Sequence, residues 1–150
     1  MLIRPAALED APAISAMLQE LVAAGKRTAR ADADFVRTHY ITGGLLCSVA
    51  VEGDEILGLQ SLKRAEAGNP YDTPEGWGII GTHVSPRAAR KGVGRGLFAA
   101  SLAAAEQAGL PAIEAYIQRS NTEGHGYYGA MSFRPWREDD KAIARRYDLT

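Results

Sequence analysis

The sequence has almost no cysteine, no excess of charge of either sign and no long apolar run. Cys47 is the one cysteine among 150 residues, so neither an intrachain disulfide nor a cysteine-based zinc site can form, and no metal is expected. Its expected place is a buried strand, not a nucleophilic site, and the scarcity fits a reducing, cytoplasmic setting. Lys and Arg number 17 against 18 Asp and Glu, a net charge of −1. Nucleic-acid binders usually carry a broad basic surface, so no nucleic-acid partner is expected and any anion site must be local. No apolar stretch approaches the ~20 residues of a spanning helix, so no membrane segment is expected. The opening Met1 to Asp10 has no apolar core behind a basic start, and no signal peptide is expected. No Ser-His-Asp or Cys-His constellation is legible.

What is present is ordinary globular patterning, with 46% apolar residues in a length that suits one domain. Leu2 to Arg4 reads as a strand ended by Pro5. Glu9 to Ala24 carries Ile14, Met17, Leu18, Leu21 and Val22 at helical spacing, and Gly25 stops it. Asp32 to Ile41 reads as a shorter helix capped by Asp32 or Asp34, after a basic linker from Lys26 to Ala31. The period then changes. Leu45 to Val51 and Glu55 to Lys63 form a predicted hairpin around Glu52-Gly53-Asp54. A polar loop from Arg64 to Gly76 precedes a strand from Trp77 to Val84. A helix over Gly92 to Ala108 ends at Gly109, and Ala112 to Ile117 is the next strand. Asn121 to Met131 reads as a helix, and Phe133 to Trp136 and Ile143 to Leu149 as the last strands. This order predicts a mixed α/β domain with a right-handed parallel crossover from Trp77 to Ile117.

The segment Pro86-Arg87-Ala88-Ala89-Arg90-Lys91-Gly92-Val93-Gly94-Arg95-Gly96 follows a strand and opens a helix. Glycine lets backbone approach a ligand closely, and the first N–H groups of a helix lack intrahelical partners and sit at its positive end. Arg87, Arg90, Lys91 and Arg95 add local positive charge. Together these point to a pyrophosphate site. A Walker loop is absent, and alternating glycines past the midpoint of the chain do not fit a dinucleotide fold, although Glu114 lies at a suitable distance for one.

These residues resemble the GNAT superfamily of acyl-CoA-dependent N-acetyltransferases, whose Gln/Arg-x-x-Gly-x-Gly/Ala signature falls on Ala89-Arg90-Lys91-Gly92-Val93-Gly94. Ala89 departs from the pattern, with Arg90 next to it. Thr82-His83-Val84 is similar to the strand end that precedes this turn in the family. A second resemblance runs from Asn121 through Gly124 and Tyr128 to Phe133, with Ser132 where the family usually has Gly. The spacing has its own logic. Seven residues are about two helical turns, so Asn121 and Tyr128 share a face about 10 Å apart. Asn caps helices, and a Tyr hydroxyl can protonate a leaving thiolate. Tyr127 reads as a core residue.

The resemblance implies a central mixed seven-stranded sheet splayed between its fourth and fifth strands, with about four helices. It implies acetyl-CoA as cosubstrate, bound by Thr82, His83, Val84, Arg90, Lys91, Gly92, Val93, Gly94, Arg95, Asn121 and Tyr128. It implies direct attack by the amine of a small molecule, amino acid or peptide, with Tyr128 as general acid. The family's frequent strand-five Glu position is Tyr116 here, so His83 and Glu114 are the candidate bases, beside a water relay without a dedicated base. Glu123 and His125 read as capping and surface groups. A silent acyl-CoA-sensing module of the same fold is the alternative. The edge strands of such a sheet often pair between subunits, so a homodimer is compatible with it.

Overall fold

Seven strands hydrogen-bond into one sheet, with helices on both faces, in a computed structural model that describes residues 1–88 and 92–150. The strands are β1 (Leu2–Pro5), β2 (Leu46–Glu52), β3 (Glu55–Arg64), β4 (Gly78–Val84), β5 (Ala112–Gln118), β6 (Arg134–Glu138) and β7 (Ala142–Asp148). The helices are α1 (Ala11–Ala23), α2 (Ala33–Phe35), α3 (Val93–Gln107) and α4 (Thr122–Ala130). Sheet order is β1-β2-β3-β4-β5-β7-β6, and only β4 and β5 run parallel. Every residue of β3 from Ile56 to Leu62 is buried. Helices cover both faces of this strand, which is why Glu55 to Lys63 reads as a continuous apolar run and not an alternation.

One face packs α1 and Val36 against Val49 and Leu59. The other packs α3 and α4 through Phe98, Ala105 and Tyr128 against Ile80, Ile113 and Ile117. The pairing of β4 with β5 is brief: Gly78 meets Ile113 and Ile79 meets Glu114. Beyond that, β4 stays with β3 as far as Val84, and β5 stays with β7 as far as Gln118. The two strands therefore part, and a wedge opens at their C-terminal ends.

Several local expectations change. α1 begins at Ala11, after a 3-10 turn over Leu8–Asp10, because Asp10 is turned toward Arg4. The two make a bidentate pair at 2.8 and 2.9 Å, and Asp10 also accepts from the Ala7 N–H. The Arg4 guanidinium holds the Asp10 carboxyl below the usual carboxylate range. Val22, counted in the apolar stripe, is exposed. The predicted second helix is a three-residue α-turn capped by Asp32, which continues as a π-helical turn over Val36–Ile41. Cys47 lies buried in β2, where burial pushes its thiol up to about 12. Among the described residues no helix is long and apolar enough to cross a membrane.

α4 ends in a Schellman turn. Phe133 N–H donates to the Tyr128 carbonyl, Ser132 N–H to the Gly129 carbonyl, and the Phe133 and Tyr128 rings pack 5.1 Å apart. Ser132 sits at the left-handed position with φ 74°, which explains why the sequence pattern it resembles has glycine there. An L side chain pays steric strain in that conformation. Ser132→Gly should therefore stabilise the chain by about 1 kcal/mol and raise the melting temperature by about 2–4 °C, as calorimetry can check.

Glu114, on β5, is fully buried. Its Oε1 accepts from Thr73 Oγ1 (2.7 Å) and Arg137 Nη2 (2.6 Å), and its Oε2 from Trp136 Nε1 (2.9 Å) and Arg137 Nε (2.9 Å). Arg137 also donates to the Tyr71 carbonyl, so the pair ties β5, β6 and the loop before β4 together. Removing one partner would leave a buried charge uncompensated. Arg137→Met should cost about 3–5 kcal/mol in urea unfolding, and adding Glu114→Met should recover much of that loss.

Candidate active site

The parting of β4 and β5 makes a cleft of about 990 Å³. Thr82, His83, Val84, Gly92, Val93, Gly94, Arg95, Asn121 and Tyr128, all expected in the site, line it. So do Lys26 and Arg27 from the linker after α1. Arg90 and Lys91, also expected there, lie outside the described residues. Glu114 sits behind the cleft wall in its own closed set of hydrogen bonds.

Each wall has a local cause. Past Ile79 the β5-facing edge of β4 has no strand partner, so backbone groups of Thr82 to Val84 are open to an extended ligand. Gly92 enters α3 at φ 71°. The first N–H groups of this 15-residue helix then face the wedge at its positive end. Val93 turns its side chain into the core beside Leu57 and Leu97, which leaves its backbone as its contribution to the site. Arg95 is exposed at the rim. Arg87 does not add free charge as expected: it is paired with Glu20 at 3.0 Å and with Glu55 at 2.5 Å.

A buried polar network holds the fork. Ser101 on α3 donates to Gln60 Oε1 (2.6 Å), and Gln60 Nε2 on β3 donates to Thr82 Oγ1 (2.9 Å) and Tyr127 Oη (3.0 Å). Tyr127 donates to the Gly94 carbonyl (2.8 Å). The Thr82 and Tyr128 hydroxyls are 2.7 Å apart. Either hydroxyl can donate to the other; when Thr82 donates, the Tyr128 proton is free for the cleft. Burial raises the Tyr128 pKa well above the usual tyrosine value, so the hydroxyl keeps its proton at neutral pH. Gly94 is required by this packing, since a Cβ there would come within 2.4 Å of the Tyr127 ring.

Sequence reasoning missed Gln60 and Ser101. The one available signal was a polar Gln inside an otherwise apolar strand. It assigned Tyr127 to the core. The ring does pack there, and its hydroxyl also links α3 to β3.

The opposite face of the sheet presents His83, Tyr40 and Tyr116. The His83 and Tyr40 rings lie 5.3 Å apart. Burial, and then the nearby charges of Arg27 and His39, push the His83 pKa down to about 3, so the imidazole is neutral. Tyr116 donates to Asp139 at 2.5 Å. Asn121 caps α4 by accepting from the Gly124 N–H at 2.9 Å. Glu123 pairs across the cleft mouth with Lys26 at 2.9 Å, and His125 meets the Gln118 carbonyl and Arg145.

Comparison with known proteins places this fold. No curated protein sequence matches the chain. Solved structures share the fold at low identity, three of them as follows. A GCN5-related N-acetyltransferase from Kribbella flavida superposes with TM-score 0.81 at 21% identity, covering 99% of this chain and 97% of that one. YncA from Salmonella typhimurium, described as an acetyltransferase with its cofactor acetyl-CoA, gives 0.73 at 19%, covering 99% and 94%. The PaiA N-acetyltransferase from Thermoplasma acidophilum, in complex with coenzyme A, gives 0.75 at 16%, covering 99% and 98%. The sequence profile of the acetyltransferase (GNAT) family matches residues 15–133, well over half the chain, and the chain belongs to that family.

Proposed function

We propose that this acetyltransferase moves the acetyl group of acetyl-CoA to a primary amine by direct attack in a ternary complex. The observation that carries the reading is the unpaired β4 edge, which meets the α3 N-terminus and the Tyr128 hydroxyl in one cleft. The residues fit the donor. The β4 edge offers backbone groups to a pantetheine arm, and the first turn of α3 offers N–H groups to a pyrophosphate. Holding amine and thioester together supplies much of the rate. Tyr128, still protonated at neutral pH, donates to the departing thiolate sulfur.

The amine must lose a proton. All four hydrogen bonds to Glu114 come from structural partners, and His83 is too weakly basic to hold a proton near neutrality. We therefore assign proton release to water in the cleft, helped by Arg27 and the other basic groups nearby, which disfavour an ammonium. His83 also reports on stability. Its folded pKa lies below the unfolded value of about 6.5, so the unfolded chain takes the proton first. Stability from its neutral burial is present above that pH and lost as pH falls toward 3. His83→Gln should therefore lose less stability than wild type between neutral and mildly acidic pH, read as urea midpoints.

The proposal is tested first by thermal shift with acetyl-CoA, CoA, NAD and ATP. Only the two CoA species should stabilise the chain, by about 2.7 kcal/mol at ~100 times Kd. Tyr128→Phe should keep acetyl-CoA affinity and lose ~10²-fold or more in turnover by thiol release. Binding without turnover on any amine by the wild type would instead identify an acyl-CoA sensor.

A further inference from the structure

We propose that the acceptor amine carries a carboxylate and that Arg27 receives it. This rests on the acetyltransferase reading and narrows its substrate class to amino acids and their close analogues.

The starting observation is an unanswered donor. Arg27 lines the cleft from the linker after α1. Its Nη2 is fixed by the Arg30 carbonyl (2.6 Å) and by Tyr40 Oη (2.9 Å), and the guanidinium carbon lies 5.7 Å from the centre of the Tyr40 ring. The group is thus oriented before any ligand arrives. Its Nε is shielded from water and has no hydrogen-bond partner. Buried donors on charged groups are rarely left so. Arg4 and Arg137 show the usual solution in this chain, each holding a carboxylate. Arg27 holds none among the described residues.

Among the described residues no carboxylate pairs with Arg27; Glu123, which lines the same cleft, is paired with Lys26 at 2.9 Å. The charges acting on His83 are Arg27 and His39, and those acting on His39 are Lys63 and Arg27. Lys63 Nζ is committed to the His39 carbonyl. Asp72 bears on Tyr116 and Arg137 instead. This face of the cleft therefore gathers positive charge in a chain whose net charge is −1. A ligand anion answers the charge, and it meets the guanidinium at Nη1, which has no hydrogen-bond partner among the described residues, because Nη2 is committed and Nε is shielded. A guanidinium suits an oxyanion, and this one lies on the sheet face that carries His83 and Tyr116, away from the α3 N-terminus that takes the donor's phosphates. The anion therefore belongs to the acceptor.

The test uses the full chain, saturating acetyl-CoA, and the L-amino acids paired with their carboxamides. The expected result is a kcat/KM ratio of about tenfold or more in favour of the free carboxylates, collapsing toward one in Arg27→Gln and partly kept in Arg27→Lys. A ratio near one in wild type overturns the proposal. So does a ratio unchanged in Arg27→Gln, which would leave Arg27 as a staple of its own loop. Weaker acetyl-CoA binding by Arg27→Gln would show that it reads the donor's phosphates, and also overturns it. A second measurement does not need turnover. The Arg27 Nε–H NMR signal is followed while N-acetyl amino acids, or their carboxamides, are titrated into the CoA complex. A shift with the carboxylates alone supports the assignment, and an unmoved signal overturns it. If no amine releases thiol, the transferase reading fails, and this titration still decides the fate of Arg27.

Discussion

The structure depends on one constraint: β4 and β5 are parallel neighbours for two residue pairs and then separate. Backbone N–H and C=O groups inside a fold need partners. Separation leaves two inner edges without them, in the middle of a sheet otherwise paired strand to strand. β3 keeps hold of β4 through Val84, and β7 keeps hold of β5 through Gln118, so neither strand can bend back to its neighbour. The fold creates a demand for an extended ligand with amide groups of its own. A pantetheine arm meets that demand, whereas a compact nucleotide would satisfy the helix end and leave the strand edge bare.

The separation has to be held open against collapse, and the polar network around Gln60 does this. Gln60 is buried on a strand whose neighbours are apolar, and both ends of its amide are used. Its hydrogen bonds tie β3 to α3, to β4 and to α4, so the two helices that form the cofactor side of the cleft are fixed to the strand that stays behind. The adjacent tyrosines then divide the work. Tyr127 spends its hydroxyl on the Gly94 carbonyl and sets how α4 approaches α3. Tyr128 shares a hydrogen bond with Thr82 and lines the cleft. Sequence spacing could separate the two by helical facing alone, and it placed Tyr128 on the face that lines the cleft. It had no means of seeing that Tyr127 forms the other half of the same device.

What was legible in the sequence is what depends on neighbours along the chain. The glycine turn into α3, the Asn121 cap, the hairpin and the strand order are local patterns, and each is present. What was not legible depends on partners far apart in the sequence. Gln60 and Ser101 are 41 positions apart. Glu114 is a candidate base in the sequence because it shares the strand facing of Tyr116, whereas Arg137 and Trp136 reach it from β6 and Thr73 from the loop before β4. Arg87 looked like part of a cationic turn, while Glu20 and Glu55 come from α1 and from the start of β3. Ser132 is the reverse case. A departure from a sequence pattern became intelligible once its φ angle was known.

Charge completes the account of the chemistry. Tyr116 stands where a carboxylate base is frequent in proteins that this sequence resembles, and the one carboxylate beside it on β5 is sealed among structural donors. Burial first, and then the charges of Arg27 and His39, keep His83 neutral, and on our reading the same charges disfavour an ammonium near them. The same field attracts an anion. On our proposal an acceptor that carries both groups lays its carboxylate against the guanidinium and points its nitrogen at the thioester, its proton passing to water.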